Sequence, residues 1–95
     1  MPYGAAAHRR ADDVAVAVRD LTPGETIEVR ILEGGSSLSV RVRDAIPLGH
    51  KVALKDLPKD KELIEYGERI GRVVQPIATG VHVHVHNIKS LRWSA

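Results

Sequence analysis

Three histidines alternate with three valines near the carboxyl end of this 95-residue chain. The histidines are His82, His84 and His86, and the valines are Val81, Val83 and Val85. Successive side chains of an extended strand point to opposite faces, so the pattern predicts that the valines are buried and the imidazoles line the outer face. Because imidazole is the commonest metal ligand among side chains, this segment is the first candidate for a chemical site.

The spacing of the histidines limits which of them could bind the same ion. Residues two apart on one strand face are separated by about 6.6 Å, and two imidazoles can then converge on one divalent metal with bonds of about 2.0–2.1 Å if their rings lean together. A third ring, about 13 Å from the first, reaches that ion only across a bulge or twist. We therefore expect His82, His84 and His86 to supply metal ligands. Two of them would bind the same ion, and other groups would complete its coordination. The alternative is a polar strand face that binds nothing.

His50 and Lys51 form a second candidate site. A neutral imidazole can bind a metal or transfer a proton near neutral pH, and an ammonium group can pair with a carboxylate or a sulfonate. The pair is therefore predicted to bind substrate, although such pairs also occur on ordinary surfaces. No serine or threonine has the spacing of a nucleophile triad, and no glycine-rich phosphate loop is present, so no residue is assigned a catalytic role.

The composition favours a single, mostly β domain. Valine and isoleucine supply 19 residues and leucine only 8, and the length suits one domain. The absence of cysteine excludes a disulfide framework and thiolate chemistry. No apolar run is long enough for a signal peptide or a membrane span, which predicts a cytoplasmic protein.

The charge pattern argues against a nucleic-acid-binding protein. The net charge is only +2, and the 14 basic and 12 acidic residues are spread along the chain. Only two tyrosines and one tryptophan could stack on bases, whereas proteins that bind single strands combine basic grooves with aromatic platforms.

Alternation of apolar and polar residues predicts seven short strands, and residues 1–11 are predicted to be a flexible lead-in outside the core. The predicted strands cover residues 14–18, 26–32, 37–42, 51–54, 63–66, 70–74 and 81–87. Reversals are expected at residues 33–36 and 66–68, where glycine can adopt the positive φ that a tight turn requires.

An internal repeat is also visible. Residues 16–21 and 52–57 agree in residue type at six consecutive positions, offset by 36. Each copy ends in a basic residue, an aspartate and a leucine, where the strand is expected to turn a corner. The repeat predicts two strand-corner-strand units related by a pseudo-two-fold axis and packed across one core. Chance similarity among strands rich in valine and alanine is the alternative.

Three motifs together resemble the SAF domain of the altronate/galactarate dehydratase family. They are Gly-His-Lys-Val-Ala-Leu-Lys-Asp-Leu at 49–57, Tyr-Gly-x-x-Ile-Gly at 66–71 and Gly-x-His-Val-His-x-His-Asn at 80–87. The resemblance covers residues 12–93 and implies an all-β domain of the β-clip fold. The ending at residues 86–93 is similar to that of the small subunits of sulfolactate sulfo-lyases.

The resemblance implies a small subunit that works beside a large catalytic subunit. Such lyases eliminate water or sulfite from a hydroxy acid or sugar acid, helped by a divalent metal, with iron as one candidate, that the two subunits would share. The chain alone is then expected to be inactive, and an oligomer is compatible with this reading. The alternatives are a stand-alone module that binds a metal or sugar acid and a structural assembly domain without catalysis.

Overall fold

The computed structural model describes residues 3–90, which form nine short strands in two sheets. The strands are β1 (Ala5–Ala7), β2 (Val14–Ala17), β3 (Thr26–Ile31), β4 (Ser37–Arg41), β5 (Lys51–Ala53), β6 (Glu62–Glu65), β7 (Glu68–Val73), β8 (His82–Val83) and β9 (Ile88–Ser90). The larger sheet has the order β4-β3-β1-β2-β5-β8 and the smaller has β6-β7-β9. The predicted all-β class, as expected of a β-clip domain, is confirmed. No helix within residues 3–90 is long and apolar enough to cross a membrane.

Six of the seven predicted strands are confirmed to within two residues at either end. They correspond to β2, β3, β4, β5, β6 and β7. Both predicted reversals are also confirmed. A short 3-10 turn, Glu33–Gly35, joins β3 to β4, and the turn between β6 and β7 places Tyr66 at a φ of 53° and Gly67 at 75°. These positive φ values explain why the second turn contains a glycine.

The prediction that residues 1–11 are a flexible lead-in outside the core is wrong for Ala5–Ala7. This segment forms β1, which lies inside the larger sheet between β2 and β3 and pairs in parallel with β3. Ala5 and Ala7 are fully buried, and Gly4 packs so closely on Ile27 that a Cβ atom there would lie 2.6 Å from the isoleucine Cβ. Small residues are needed because the neighbouring side chains already fill the space.

The predicted internal repeat appears as two matching corners. The Oδ1 atoms of Asp20 and Asp56 accept hydrogen bonds from the backbone N–H groups of Leu48, at 2.8 Å, and Thr79, at 2.9 Å. An isolated antiparallel bridge follows each aspartate, joining Leu21 to Ile46 and Leu57 to Ile77. The two units therefore share the same corner. The aspartate and the leucine that form it occupy matching positions in residues 16–21 and 52–57.

The interior differs from the single core that was predicted. Buried side chains form two clusters separated by β2 and β5, since Val52 belongs to the first and the adjacent Ala53 to the second. The second cluster consists of Val14, Ala53, Leu57, Leu63, Val73, Ile77 and Val83. Each strand unit thus buries its own apolar face, and the pair β2 and β5 supplies side chains to both.

Asp13 fastens the beginning of β2 to the smaller sheet. Its carboxylate is only 2% exposed and accepts hydrogen bonds from Lys61 Nζ and from the backbone N–H of Ile64, both at 2.8 Å. Lys55 Nζ lies 3.3 Å from its other oxygen. Burial raises the pKa of Asp13, but the hydrogen bonds from Lys61, Ile64 and Lys55 outweigh it and leave the pKa below its ordinary value.

Replacing Asp13 with asparagine is expected to lower the free energy of unfolding by about 1–3 kcal/mol at pH 7. Because the folded-state pKa is depressed, the stabilisation is complete above the unfolded pKa near 3.8 and is lost as pH falls below it. Urea unfolding at pH 3 to 7 should therefore give a gap between parent and variant that shrinks at acid pH. A gap that is constant across this range would contradict the assignment.

Candidate functional site

The histidine segment is a short strand followed by a turn, so the strand predicted over residues 81–87 is wrong in its second half. β8 covers only His82–Val83, and residues 84–87 turn the chain towards β9. Val83 is 1% exposed, as predicted, and Val81 packs half-buried against the same cluster. Val85, predicted to be buried, is 80% exposed because the strand alternation ends before it.

Asn87 explains why the strand ends where it does. Its side chain is almost completely buried and bridges the turn, since Oδ1 accepts a hydrogen bond from the His84 N–H at 3.0 Å and Nδ2 donates to the His82 carbonyl at 2.8 Å. Asparagine side chains commonly compete with the strand ladder for backbone groups in this way. The turn brings the imidazole of His84 back towards the strand instead of carrying it further along.

Three histidine rings meet where the start of β5 lies beside the end of β8, because the two strands are antiparallel. Val52 of β5 pairs with His82 of β8, and the strand pair thereby brings His50 beside His82. His50 Nδ1 lies 2.9 Å from His82 Nε2, and the His84 ring stacks on His50 with centroids 4.5 Å apart. One nitrogen from each of the three rings lies within 4.8 Å of the other two. We call His50, His82 and His84 the histidine triad.

The triad contains two of the three metal ligands that were expected from the sequence. His82 and His84 belong to it, but the third member is His50, which was predicted to bind substrate. His86 is exposed and lies beside the triad, with its ring centroid 5.4 Å from that of His82 and the rings tilted by 47°. The structure thus brings two of the three predicted ligands together and adds His50, which directly precedes β5.

The surroundings of His82 favour the neutral imidazole. Burial lowers the pKa of His82, and the neighbouring His50, His86 and His84 lower it further because several imidazolium charges would repel one another. Asp44 acts in the opposite direction, and one of its carboxylate oxygens accepts a hydrogen bond from the His82 backbone N–H at 2.8 Å. A neutral ring keeps a nitrogen lone pair available for a metal or for a proton.

Two rings of the triad, those of His50 and His82, have the spacing that ligands of one divalent metal ion require. Two nitrogens bound to one metal at about 2.0–2.1 Å are separated by about 2.9–3.4 Å for ordinary bond angles. The 2.9 Å between His50 Nδ1 and His82 Nε2 falls in this range, so a metal could replace the hydrogen that they share. Three imidazoles also leave coordination positions for water, substrate or a ligand from another chain.

Lys51 does not join the triad, although it follows His50 directly. Neighbouring residues of β5 face opposite sides, and Lys51 points into a groove of about 370 Å³ on the far side of the strand. Its Nζ lies 3.9 Å from Glu65 Oε1, which is a loose ion pair. The groove also contains His84 and is lined further by Arg69, Ile70, Val83, Val85, Ile88 and Ser90. His84 therefore connects the groove with the triad.

Sequence reasoning assigned no role to Asp44 and Asn87. Asn87 follows the last histidine of the pattern, and an asparagine at the end of a strand is a recognisable turn signal. Asp44 carries no comparable signal, because only the tertiary structure places its carboxylate beside the His82 backbone. Both are positioning residues that hold the histidine backbone.

Replacing Asn87 with alanine should lower the free energy of unfolding by about 1–3 kcal/mol, because two backbone groups of the turn lose the partners that the buried amide provides. Gln75 offers a matched control, since its exposed amide donates to the His86 carbonyl of the same turn at 3.2 Å. Replacing Gln75 with alanine should change stability by no more than about 0.5 kcal/mol. Thermal or urea unfolding of both variants measures the difference, and equal effects would contradict the role given to Asn87.

Comparison with known proteins places the chain in a family. The model of the altronate/galactarate dehydratase SAF domain matches residues 5–91. The chain therefore belongs to the SAF-domain family of the altronate/galactarate dehydratases. The match includes β1, which corrects the predicted domain start at residue 12, whereas the predicted end at residue 93 lies outside the described residues.

Relatives carry this domain in two forms. The chain is 45% identical over 85 residues to the (2R)-sulfolactate sulfo-lyase subunit alpha of Chromohalobacter salexigens, covering 87% of this chain and 90% of that subunit. It is 41% identical over 63 residues to the corresponding subunit of Paracoccus pantotrophus, covering 66% of this chain and 94% of that one. It is 40% identical over 79 residues to the altronate dehydratase of Escherichia coli, covering 83% of this chain but only 15% of that enzyme.

Proposed function

We propose that this chain is the small subunit of a heteromeric lyase that acts on a hydroxy acid or sugar acid together with a large catalytic subunit. The observation that carries the proposal is the difference in coverage among the relatives. The chain matches 90% of a separate sulfo-lyase subunit at 45% identity, but only 15% of an altronate dehydratase. The remainder of the dehydratase chain corresponds to what a separate catalytic subunit would have to supply.

The histidine triad is the part of this chain that we propose to take part in the chemistry. Elimination of water or sulfite next to a carboxylate requires removal of the α proton and stabilisation of the charge that develops. A divalent metal held by His50, His82 and His84, with iron as one candidate, would polarise the carboxylate or hydroxyl group of the substrate. The open coordination positions would be completed by the substrate and by ligands from the catalytic subunit.

Lys51 is proposed to bind an anionic group of the substrate. The loose contact with Glu65, at 3.9 Å, leaves the ammonium able to pair with a carboxylate or a sulfonate. Since His84 lies in both the triad and the groove, an acid bound at the metal could extend one end towards Lys51. His50 and Lys51 would then act from opposite faces of β5, as ligand and as anion partner.

The lone chain should be inactive because its site is open. His84 and His86 are exposed, and the groove beside them is accessible to water. An elimination of this kind needs a base, an acid and an electrophile around one substrate in a site that excludes water. The catalytic subunit would supply the missing groups and cover the site.

The proposal is tested by co-expressing the chain with its catalytic subunit and offering the purified complex (2R)-sulfolactate, altronate and galactarate. Release of sulfite or loss of water from one of these acids is expected. If the two chains do not associate, and the single chain binds a metal or a sugar acid by itself, the protein is a stand-alone binding module. The triad favours that alternative over a purely structural domain, because all three of its rings come from one chain.

A further inference from the structure

Val85 is the most exposed large apolar side chain in the part of the structure described here. The exposed residues of this kind are Val18, Leu32, Leu48, Tyr66, Val74 and Val85. Val85 stands at 80% exposure in the turn between His84 and His86. Val85 lies beyond the end of β8 and outside the second buried cluster, so its side chain gains little from burial in the isolated chain.

The turn that carries Val85 is held in place by several hydrogen bonds. The buried Asn87 side chain bridges the backbone of His82 and His84, and Gln75 donates to the carbonyl of His86. The backbone N–H groups of Asn87 and Ile88 both donate to the His84 carbonyl at 3.1 Å. Val85 is therefore presented in a fixed position, which lowers the entropic cost of using it in a contact.

The groove beside Val85 is lined by both apolar and charged residues. Val83, Ile70 and Ile88 line it together with Val85, and Lys51 lies in it next to Glu65. A single exposed valine needs no explanation, but Val85 is joined in this groove by the half-buried Ile70 and Ile88, which gives a small apolar patch that a partner could cover. His84 belongs to the same groove, so the surface adjoins the histidine triad.

We propose that the catalytic subunit covers this groove and that Val85 anchors it. The inference depends on the proposed function, which supplies the partner. In the dehydratase of Escherichia coli the domain makes up 15% of a longer chain and is attached covalently to the rest. A separate chain needs a surface contact instead, and a contact centred on Val85 would close the groove over His84 and Lys51. The partner surface would present an apolar patch, since the centre of a stable interface excludes water around its anchors.

The test is the affinity of the full chain for its catalytic subunit, measured by isothermal titration calorimetry. Replacing Val85 with serine should weaken binding at least tenfold, because anchors at the centre of an interface dominate its affinity. Leu32 provides the matched control, as it is 50% exposed, lies beside the turn between β3 and β4, and does not line the groove. Replacing Leu32 with serine should leave the dissociation constant within about twofold of the parent value.

Thermal unfolding of the isolated variants accompanies the binding experiment, and both should melt close to the parent because both side chains are exposed. If the parent chain binds the catalytic subunit and V85S binds it equally well, the docking surface is overturned while the proposed function stands. If the two variants lose affinity equally, the contact is not centred on the groove and the inference fails. If the parent chain itself does not bind, the proposed function fails and the docking surface fails with it.

Discussion

Replacing Val83 with aspartate is expected to cost about 3 kcal/mol or more of the free energy of unfolding. Val83 is 1% exposed and belongs to the second buried cluster, so the carboxylate would be placed among aliphatic side chains. Lys51 is its partner across the β5–β8 ladder, but an ion pair with it would not restore the apolar contacts that the valine makes. Because small domains are stabilised by only about 5–10 kcal/mol, the variant should lose about a third or more of its stability.

Val85 provides the control for this substitution, since the same replacement two residues later changes an 80% exposed side chain. V85D should melt within a few degrees of the parent chain, whereas V83D should show a strongly lowered melting temperature or no cooperative transition. Circular dichroism during heating measures both. If V83D also melts close to the parent, Val83 does not face the core and the orientation of β8 is wrong.

Replacing any one member of the histidine triad with glutamine is expected to lower the activity of the assembled lyase at least tenfold. Each substitution removes one of the three proposed nitrogen ligands, and the loss of a ligand would weaken metal binding and misplace the metal. Cobalt titration of the isolated chain should show weaker metal binding in the same variants. This titration measures the metal affinity of the site independently of the reaction. Melting temperatures of the variants separate loss of the site from loss of the fold.

His86 supplies the matched control for the triad variants. It carries the same side chain in the same turn, but its ring lies beside the triad and is not one of the three that share a common centre. H86Q should therefore keep activity and cobalt affinity within about threefold of the parent. Full activity in the triple variant of His50, His82 and His84 would contradict a functional triad, and an equal loss in H86Q would restore the ligand set expected from the sequence.

The strands that sequence patterning identifies correctly bury one face against a core. In β3, Ile27, Val29 and Ile31 are buried and alternate with more exposed residues. The apolar residues therefore recur at every second position of the sequence. The corner repeat was visible for a similar reason, since each copy needs a leucine for its bridge and an aspartate for its backbone hydrogen bond. Local requirements of this kind can be recognised from the residue types alone.

Two elements were missed because tertiary contacts decide them. Three consecutive alanines show no alternation and have low strand propensity, yet the space between β2 and β3 admits only small side chains. In the histidine segment the alternation of valine and histidine continues in the sequence after Val83, but the buried Asn87 side chain takes the backbone groups and turns the chain. The pattern alone does not reveal which of the two prevails.

The candidate site was predictable in its residue types but not in its grouping. The spacing of His82 and His84 indicates that their rings can meet, and the sequence also makes His50 a candidate for substrate binding. Their assembly depends on the pairing of Val52 with His82, which joins strands about 30 residues apart in the chain. Separating His50 from Lys51 follows from the same strand geometry, because β5 sends adjacent side chains to opposite faces.

The most direct test of the small-subunit assignment is a titration of activity at a fixed concentration of the catalytic subunit. The lyase rate should be absent with either chain alone in the presence of divalent metal, should rise as this chain is added, and should level off at a fixed ratio of the two subunits. Sulfite release from (2R)-sulfolactate and loss of water from altronate or galactarate are the signals to follow. Steady turnover by this chain alone, in a preparation free of the catalytic subunit by mass spectrometry, would contradict the assignment.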